Sequence, residues 1–405
     1  MNWLGRKTVG VISVALVTMA ISPVHSQQTP LRIGVLNDQS GNFAEASGPG
    51  SVVAARLAVE DFGGKVNGRP IEVVVGDHQN KPDIGANLVR RWFDVDGVDM
   101  VIDVPNSSVA FAVTHLAKEK NKVFIASGAG ATGLTGDRCS PNFVHWTYDT
   151  YAYGQAMGRA ITGQGNKKWF FITADYAFGH DLEAQTANAV KAAGGTVVGS
   201  VRHPFGTSDF SSFVLQAQAS GADVVAMASG GADTTNSLKQ AAEFGLNKSR
   251  KVVGVMGMVD NLWGLGAPAA QGAFIVAPFY WDLDEETRSF SKRFTERMTT
   301  KTVPTDHQAG VYAGVLHYLK AVQKVGQSTD GKAVVNAMKE IPTDDPLFKR
   351  GTIRADGRKI HDIYLLQAKA PGESKSKYDL VKVVAKVPGE QAFRPLADGK
   401  CEFVK

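Results

Sequence analysis

Residues 122–136, KVFIASGAGATGLTG, put glycines 128, 130 and 133 in the spacing G-x-G-x-x-G, directly after an apolar run that reads as a strand. Such a motif marks a dinucleotide site only if its third glycine opens a helix, whose first N–H groups then hold the pyrophosphate. Here the sequence continues GLTGDRCSPNF, with Gly133, Gly136 and Pro141 inside nine residues, so no helix starts there and runs on. The motif also follows the fourth strand of its set, not the first. The fingerprint fails, and no cofactor is expected. The glycines instead bring bare backbone to a strand's carboxyl end, where Gly128, Ala129, Gly130 and Ala131 would present N–H groups to whatever lies beyond.

The surrounding pattern decides the fold. Before residue 128 come LRIGVL, IEVVVG, DMVIDV and KVFIAS, four β-branched runs separated by helical stretches at 50–62, 83–93 and 107–118. In the last helix Val109, Ala112, Val113 and Leu116 share one face. Strands apolar throughout and alternating with helices belong to a parallel sheet covered on both faces. After NFVHWTYDTYAYG the pattern restarts with KWFFITA, TVVGSV, DVVAMAS and KVVGVMG, and with helices near 179–193, 209–219 and 233–244. Gly245 suits the left-handed stop of the last. GAFIVA, three helical stretches (285–300, 305–325 and 331–339) and the alternating HDIYLLQAK and KYDLVKVVAKV complete the chain. The fold class is therefore α/β: two similar doubly wound lobes with mostly parallel sheets, and a ligand crevice between them at the strands' carboxyl ends.

Composition agrees. The 405 residues are 43% hydrophobic and 20% charged, as in an ordinary globular protein. Arg6 and Lys7 precede the apolar TVGVISVALVTMAIS, and Val24 and Ser26 stand at −3 and −1 of a cleavage before Gln27. Residues 1–26 therefore read as a secretory signal peptide, too short in its apolar part to span a membrane, and no cysteine follows to carry a lipid. Without them 42 basic residues face 39 acidic ones, a net +3 that argues against a nucleic-acid partner. The mature chain is expected to be periplasmic, soluble and monomeric. Its two cysteines, Cys139 and Cys401, lack metal-ligand spacing and in an oxidising compartment are expected to form one disulfide, tying the C-terminal tail to the body.

Several stretches together resemble the periplasmic substrate-binding proteins of branched-chain-amino-acid-type ABC transporters. They are IGVLNDQSGNFAEASGPG, NSSVAFAV, IASGAGATGLTG, ITADYAFGHDLEAQ and SLKQAAEFGL, and the likeness covers essentially the whole mature chain. It implies a receptor that closes on a small molecule and delivers it to ABC permease membrane subunits. The lobes would be joined by three crossings, near 146–148, 273–278 and 350–356. Lobe 1 would comprise 27–147 and 276–352, and lobe 2 would comprise 148–275 and 353–405. The resemblance places a ligand carboxylate at Ser107 or Ser108 and the backbone of 128–131, and a ring, Phe43, against the ligand. Ser107 reads equally as a plain helix N-cap.

From lobe 2, Tyr151, Tyr176 and Phe178 would cover an apolar ligand body, with core packing as their alternative. Asp233 reads as a helix cap or a contact. Amino-acid binders of this type place an acid after the fourth strand of lobe 2, for the ammonium. Met258 and Val259 stand there in this chain, with Asp260 just beyond. An ammonium left unpaired in a closed cleft costs several kcal/mol, roughly. The expected ligand is thus an aromatic or bulky apolar carboxylic acid. A branched-chain amino acid or a small amide is the alternative, and a ligand-sensing receptor for a signalling system the rival role. No G-x-S-x-G, no H-E-x-x-H and no Cys/His cluster points to an enzyme.

Overall fold

The computed structural model describes residues 29–404 apart from 267–269 and 272, and, before them, residues 1, 3, 5 and 10. The expected leader, 1–26, otherwise lies outside the described residues.

The apolar runs of the first half become β1 (Leu31–Asn37), β3 (Arg69–Asp77), β4 (Met100–Asp103) and β5 (Val123–Ala126). Two short strands not anticipated from the sequence join them: β2 (Lys65–Val66), which hairpins onto β3, and β6 (Phe143–His145) inside NFVHW. The sheet order is β2-β3-β1-β4-β5-β6, parallel apart from that hairpin. Helices α1 (Gly48–Asp61), α2 (Pro82–Asp94) and α3 (Ser107–Glu119) make the crossovers.

A further helix, α4 (Thr150–Gly163), leads into the second set: β7 (Lys168–Ala174), α5 (Ala177–Ala192), β8 (Thr196–His203), α6 (Ser211–Ala219), β9 (Val224–Ala228), α7 (Ala232–Glu243), β10 (Lys251–Gly254) and α8 (Val259–Leu265). Its sheet runs β10-β9-β7-β8, all parallel. Gly245 holds φ 69°, the left-handed stop after α7. Next come β11 (Phe274–Ala277), α9 (Glu285–Arg297), α10 (Asp306–Val325) and α11 (Gly331–Glu340). The chain then forms β12 (Thr352–Ile353), β13 (Lys359–Ile360), β14 (Ile363–Ala368) and β15 (Val381–Val387). β14 pairs antiparallel with β11 and β15, the hairpin-like end the alternation implied.

Each sheet has its own core. Ile33, Val35, Ile102 and Ile125 pack with Trp146, Phe279, Phe294, Tyr318 and Ile353, so α9–α11 return to the first lobe. Tyr148, Tyr153, Trp169, Phe171 and Ala226 pack with Val276, Ile360 and Phe393 in the second. Burying each such Val, Ile or Phe side chain stabilises the fold by about 1.5–3 kcal/mol. Core membership thus changes between Trp146 and Tyr148, around Phe279, and between Ile353 and Ile360. The disulfide Cys139–Cys401 is formed.

Topology locates the cleft. In the first sheet the chain order reverses between β1 and β4, in the second between β7 and β9. Loops after those four strands, at 38–47, 104–106, 175–176 and 229–231, therefore converge from the two lobes, where open α/β sheets hold their ligands.

Candidate ligand cleft between the lobes

The floor of the cleft in lobe 1 is a buried polar network under a strained turn. Asp103 and Val104 hold φ of 88° and 53°, left-handed values that a β-branched residue such as Val rarely adopts. The Asp103 carboxylate braces them, accepting hydrogen bonds from Asn37, Ser47 and Ser127. Burial nonetheless holds its pKa above the usual carboxylate range. This turn delivers Asn106 and Ser107 to the mouth of α3.

Here the reading of Ser107 as an N-cap is corrected. The cap is Asn106, whose Oδ1 accepts from the N–H of Ser108 at 3.0 Å and of Val109 at 3.2 Å. Ser107 is fully buried and turned toward the glycine loop, where its Oγ accepts from Gly130 at 3.3 Å and Ala131 at 3.2 Å. With both N–H groups engaged, the Ser107 hydroxyl hydrogen is what this corner can offer an anion. Ser108 is half-buried and lines an open recess with Ala131, Ala177 and Asp181. The other two loop residues are tied down by their carbonyls: Gly128 accepts from the Tyr148 hydroxyl, and Ala129 O lies 2.7 Å from His145 Nε2. Gly130 must be glycine, since a Cβ there would sit 2.7 Å from the Tyr148 ring and 2.9 Å from Phe178.

The lobes are closed on one another. Phe43 lies 5.7 Å, centroid to centroid, from Phe205 of lobe 2, and Phe205 lies 5.1 Å from Tyr176. Phe178 and Tyr176 form a tilted pair at 5.9 Å. Phe178 thus stands beside both Gly130 and Gly230, with Phe43 against Gly230 and Tyr176 against Phe178, and Met258 is buried in the same core as Phe178. Tyr151 is not among them. It lines a groove of about 360 Å³ with Gln155, Arg159 and Tyr364. The tyrosine of α4 that turns inward is Tyr153, fully buried, its hydroxyl 3.5 Å from Asp306. Asp233 is no cap either: it sits within the first turn of α7, accepts from Gly206 N–H at 3.1 Å, and burial pushes its pKa up to about 7.

A second group joins Asp260, which the sequence reading named just beyond Met258, to Asp306 and His307, which it passed over. Asp306 and His307 open α10, whose N-cap Thr305 and Gln308 form a capping box; Gln308 Nε2 also donates to the Glu45 and Ser47 carbonyls at 3.2 and 3.1 Å. Asp260, in the first turn of α8, is buried with Oδ1 unpartnered. Burial, then the nearby charges of Asp306 and Glu45, push its carboxyl up to about 8, and burial takes Asp306 to about 7. His307 is held neutral, its pKa driven down to about 3 by burial. Two acids from opposite lobes therefore meet under the tyrosines. The T-x-x-Q spacing of Thr305–Gln308 was the one legible signal, and it marks only a helix start.

The model of the periplasmic binding protein family matches residues 30–375, and the chain belongs to that family. It is a binding protein, not an enzyme. A periplasmic binding protein from Burkholderia mallei is 45% identical and superposes with a TM-score of 0.90, over 93% of this chain and 99% of the other. A branched chain amino acid ABC transporter periplasmic ligand-binding protein from Burkholderia xenovorans LB400 is 40% identical, with a TM-score of 0.81 over 93% and 100% of the two chains. Among curated relatives, Leu/Ile/Val-binding protein homolog 6 of Brucella melitensis biotype 1 is 25% identical over 367 residues, 89% of this chain and 92% of that protein. No helix among the described residues is long and apolar enough to cross a membrane.

Proposed function

We propose that this protein is the solute receptor of an ABC importer, closing on a small carboxylate with an aromatic or bulky apolar body and presenting the closed form to its permease. The observation that carries the reading is the convergence of Phe43, Tyr176, Phe178 and the Ser107 hydroxyl between two closed lobes. Rings accept an apolar body, and a hydroxyl beside a helix mouth accepts an anion. Asp260 and Asp306, their pKa values raised by burial, would meet such a ligand as neutral hydrogen-bond donors.

One observation favours a second reading, an α-amino acid. The same two acids, one with an unpartnered oxygen, could ionise around an ammonium, which supplies the partner that Met258 does not. Residues 27–405, screened by thermal shift against benzoates, aliphatic acids and branched-chain amino acids, decide between them. Stabilisation by benzoates alone supports the first reading. Stabilisation by leucine or valine, growing as pH rises, establishes the second. No shift with any carboxylate overturns both.

A further inference from the structure

Helix α7 of lobe 2 begins without a cap of its own. Its N-cap position is Gly231, at φ 62°, with no side chain to accept the first N–H groups. Those groups are nonetheless satisfied, from the other lobe. The backbone carbonyl of Asn42 accepts from Ala232 N–H at 3.0 Å, and Asn42 Oδ1 accepts from Asp233 N–H at 3.0 Å. Asn42 Nδ2 in turn donates to the Gly230 carbonyl at 3.1 Å. The Gly230–Gly231 pair is what admits this loop, because a Cβ on Gly231 would stand 2.4 Å from the Asn42 carbonyl and 2.9 Å from the Phe43 ring.

We infer that Asn42 is a closure latch: a helix cap supplied in trans, made when the lobes meet and lost when they part. A cap normally stabilises the folded chain, since the capping residue and its helix are neighbours in sequence. Here they are 191 residues apart and on different lobes, so the same bonds stabilise the closed state relative to the open one. A second inter-lobe tie supports the geometry, Asp181 of α5 accepting from Thr132 N–H at 2.7 Å and from its hydroxyl at 2.9 Å. The latch biases closure before any ligand arrives, and ligand affinity then scales with the fraction already closed. Asn42 is thus a positioning residue.

The inference uses the receptor reading only for that last step, so the decisive test omits ligand. Wild-type residues 27–405, Asn42→Ala and Asn42→Asp are compared by small-angle X-ray scattering and by hydrogen exchange of the Asp233 amide. Asn42→Ala should enlarge the radius of gyration and speed Asp233 exchange about 2- to 30-fold, the range spanned by lost caps, with unchanged circular dichroism. Asn42→Asp keeps an acceptor for Asp233 but cannot donate to Gly230, and should fall between. Gly231→Ala should open the protein from the lobe 2 side with Asn42 intact. Wild-type scattering and exchange in Asn42→Ala would overturn the latch, as would Asn42→Asp behaving no better than Asn42→Ala.

Discussion

The Tyr148 ring lies parallel to the His307 ring, with centroids 5.4 Å apart, 13° between planes, and the phenol oxygen 2.9 Å from Nε2. Tyr148 gives its one hydrogen to the Gly128 carbonyl, so it must accept from His307. That fixes the imidazole as the Nε2–H tautomer and leaves Nδ1 as a buried lone pair, which matches its lack of a partner. The contact joins the first crossing between lobes to the start of α10 and to the glycine loop at once.

Removing that oxygen should therefore cost more than a methyl-sized contact. Tyr148→Phe leaves a carbonyl and an imidazole N–H buried without partners, a loss of about 1–3 kcal/mol. Urea unfolding at neutral pH measures it. A change below about 0.5 kcal/mol would mean that water replaces the hydroxyl.

Stability should fall as pH rises through neutrality. Asp260 and Asp306 bind protons more tightly folded than unfolded, their values of about 8 and 7 standing above the unfolded carboxylate's. Between the unfolded value and the folded ones the native state holds more protons, so each pH unit gained lowers unfolding free energy, up to about 1.4 kcal/mol per group. The decline begins above the unfolded carboxylate pKa and levels off once pH passes about 8. Asp103, Asp149 and Asp233 are raised by burial too and add to the fall, whereas His78, His145, His203, His307, His317 and His361, held neutral by burial, oppose it below the usual histidine pKa; the wild-type slope is the joint effect of both sets. Asp306→Asn isolates one part: the difference between its melting temperature and that of wild type should shift in the variant's favour from pH 5 to pH 8. Parallel curves would show that Asp306 is ionised in the native protein.

Ser107 and Ser108 should separate cleanly. Ser107→Ala strands the Gly130 and Ala131 N–H groups and should cost about 1–3 kcal/mol of stability as well as ligand affinity. Ser108→Ala keeps its backbone bond to Asn106 and should leave stability within about 0.5 kcal/mol. Equal losses in chemical denaturation would mean that the glycine loop is held by something other than Ser107.

Much of the scaffold was legible because period-2 and period-3.6 patterns report burial, and burial is what the two parallel sheets require. The glycine loop was also legible, by exclusion: GLTGDRCSPNF could not run on as a helix, and the chain makes only a short 3-10 turn there, Thr132–Thr135. The cleft was harder. The sequence reading set Met258 and Val259 where an acid was sought and Asp260 just beyond; α8 starts at Val259, and each helical residue turns the direction by about 100°. That rotation buries Asp260. Tyr151 and Tyr153 differ by the same logic, two steps along α4 placing them on different faces. Asn42 and Asp181 were invisible in principle, since their partners belong to the other lobe and are met only on closure.

The C-terminal tail makes a fourth link between the lobes, and cutting it should loosen the hinge. Phe393 packs in the lobe 2 core, yet from Arg394 onward the chain, which the sequence reading grouped with lobe 2, lies on lobe 1. Arg394 Nη2 donates to the Thr132 and Thr135 carbonyls at 3.3 Å each, Lys118 pairs with Glu402 at 3.3 Å, and Cys401 is bonded to Cys139. A cross-link closing a loop 262 residues long removes much freedom from the unfolded chain, so Cys139→Ser with Cys401→Ser should lower stability by about 2–4 kcal/mol. Because the bond pins to lobe 1 a tail that leaves the lobe 2 core at Phe393, the double variant should populate more open forms, seen as a larger radius of gyration without ligand. If stability falls while scattering stays as in the wild type, the bond anchors the tail and leaves opening to the three crossings alone.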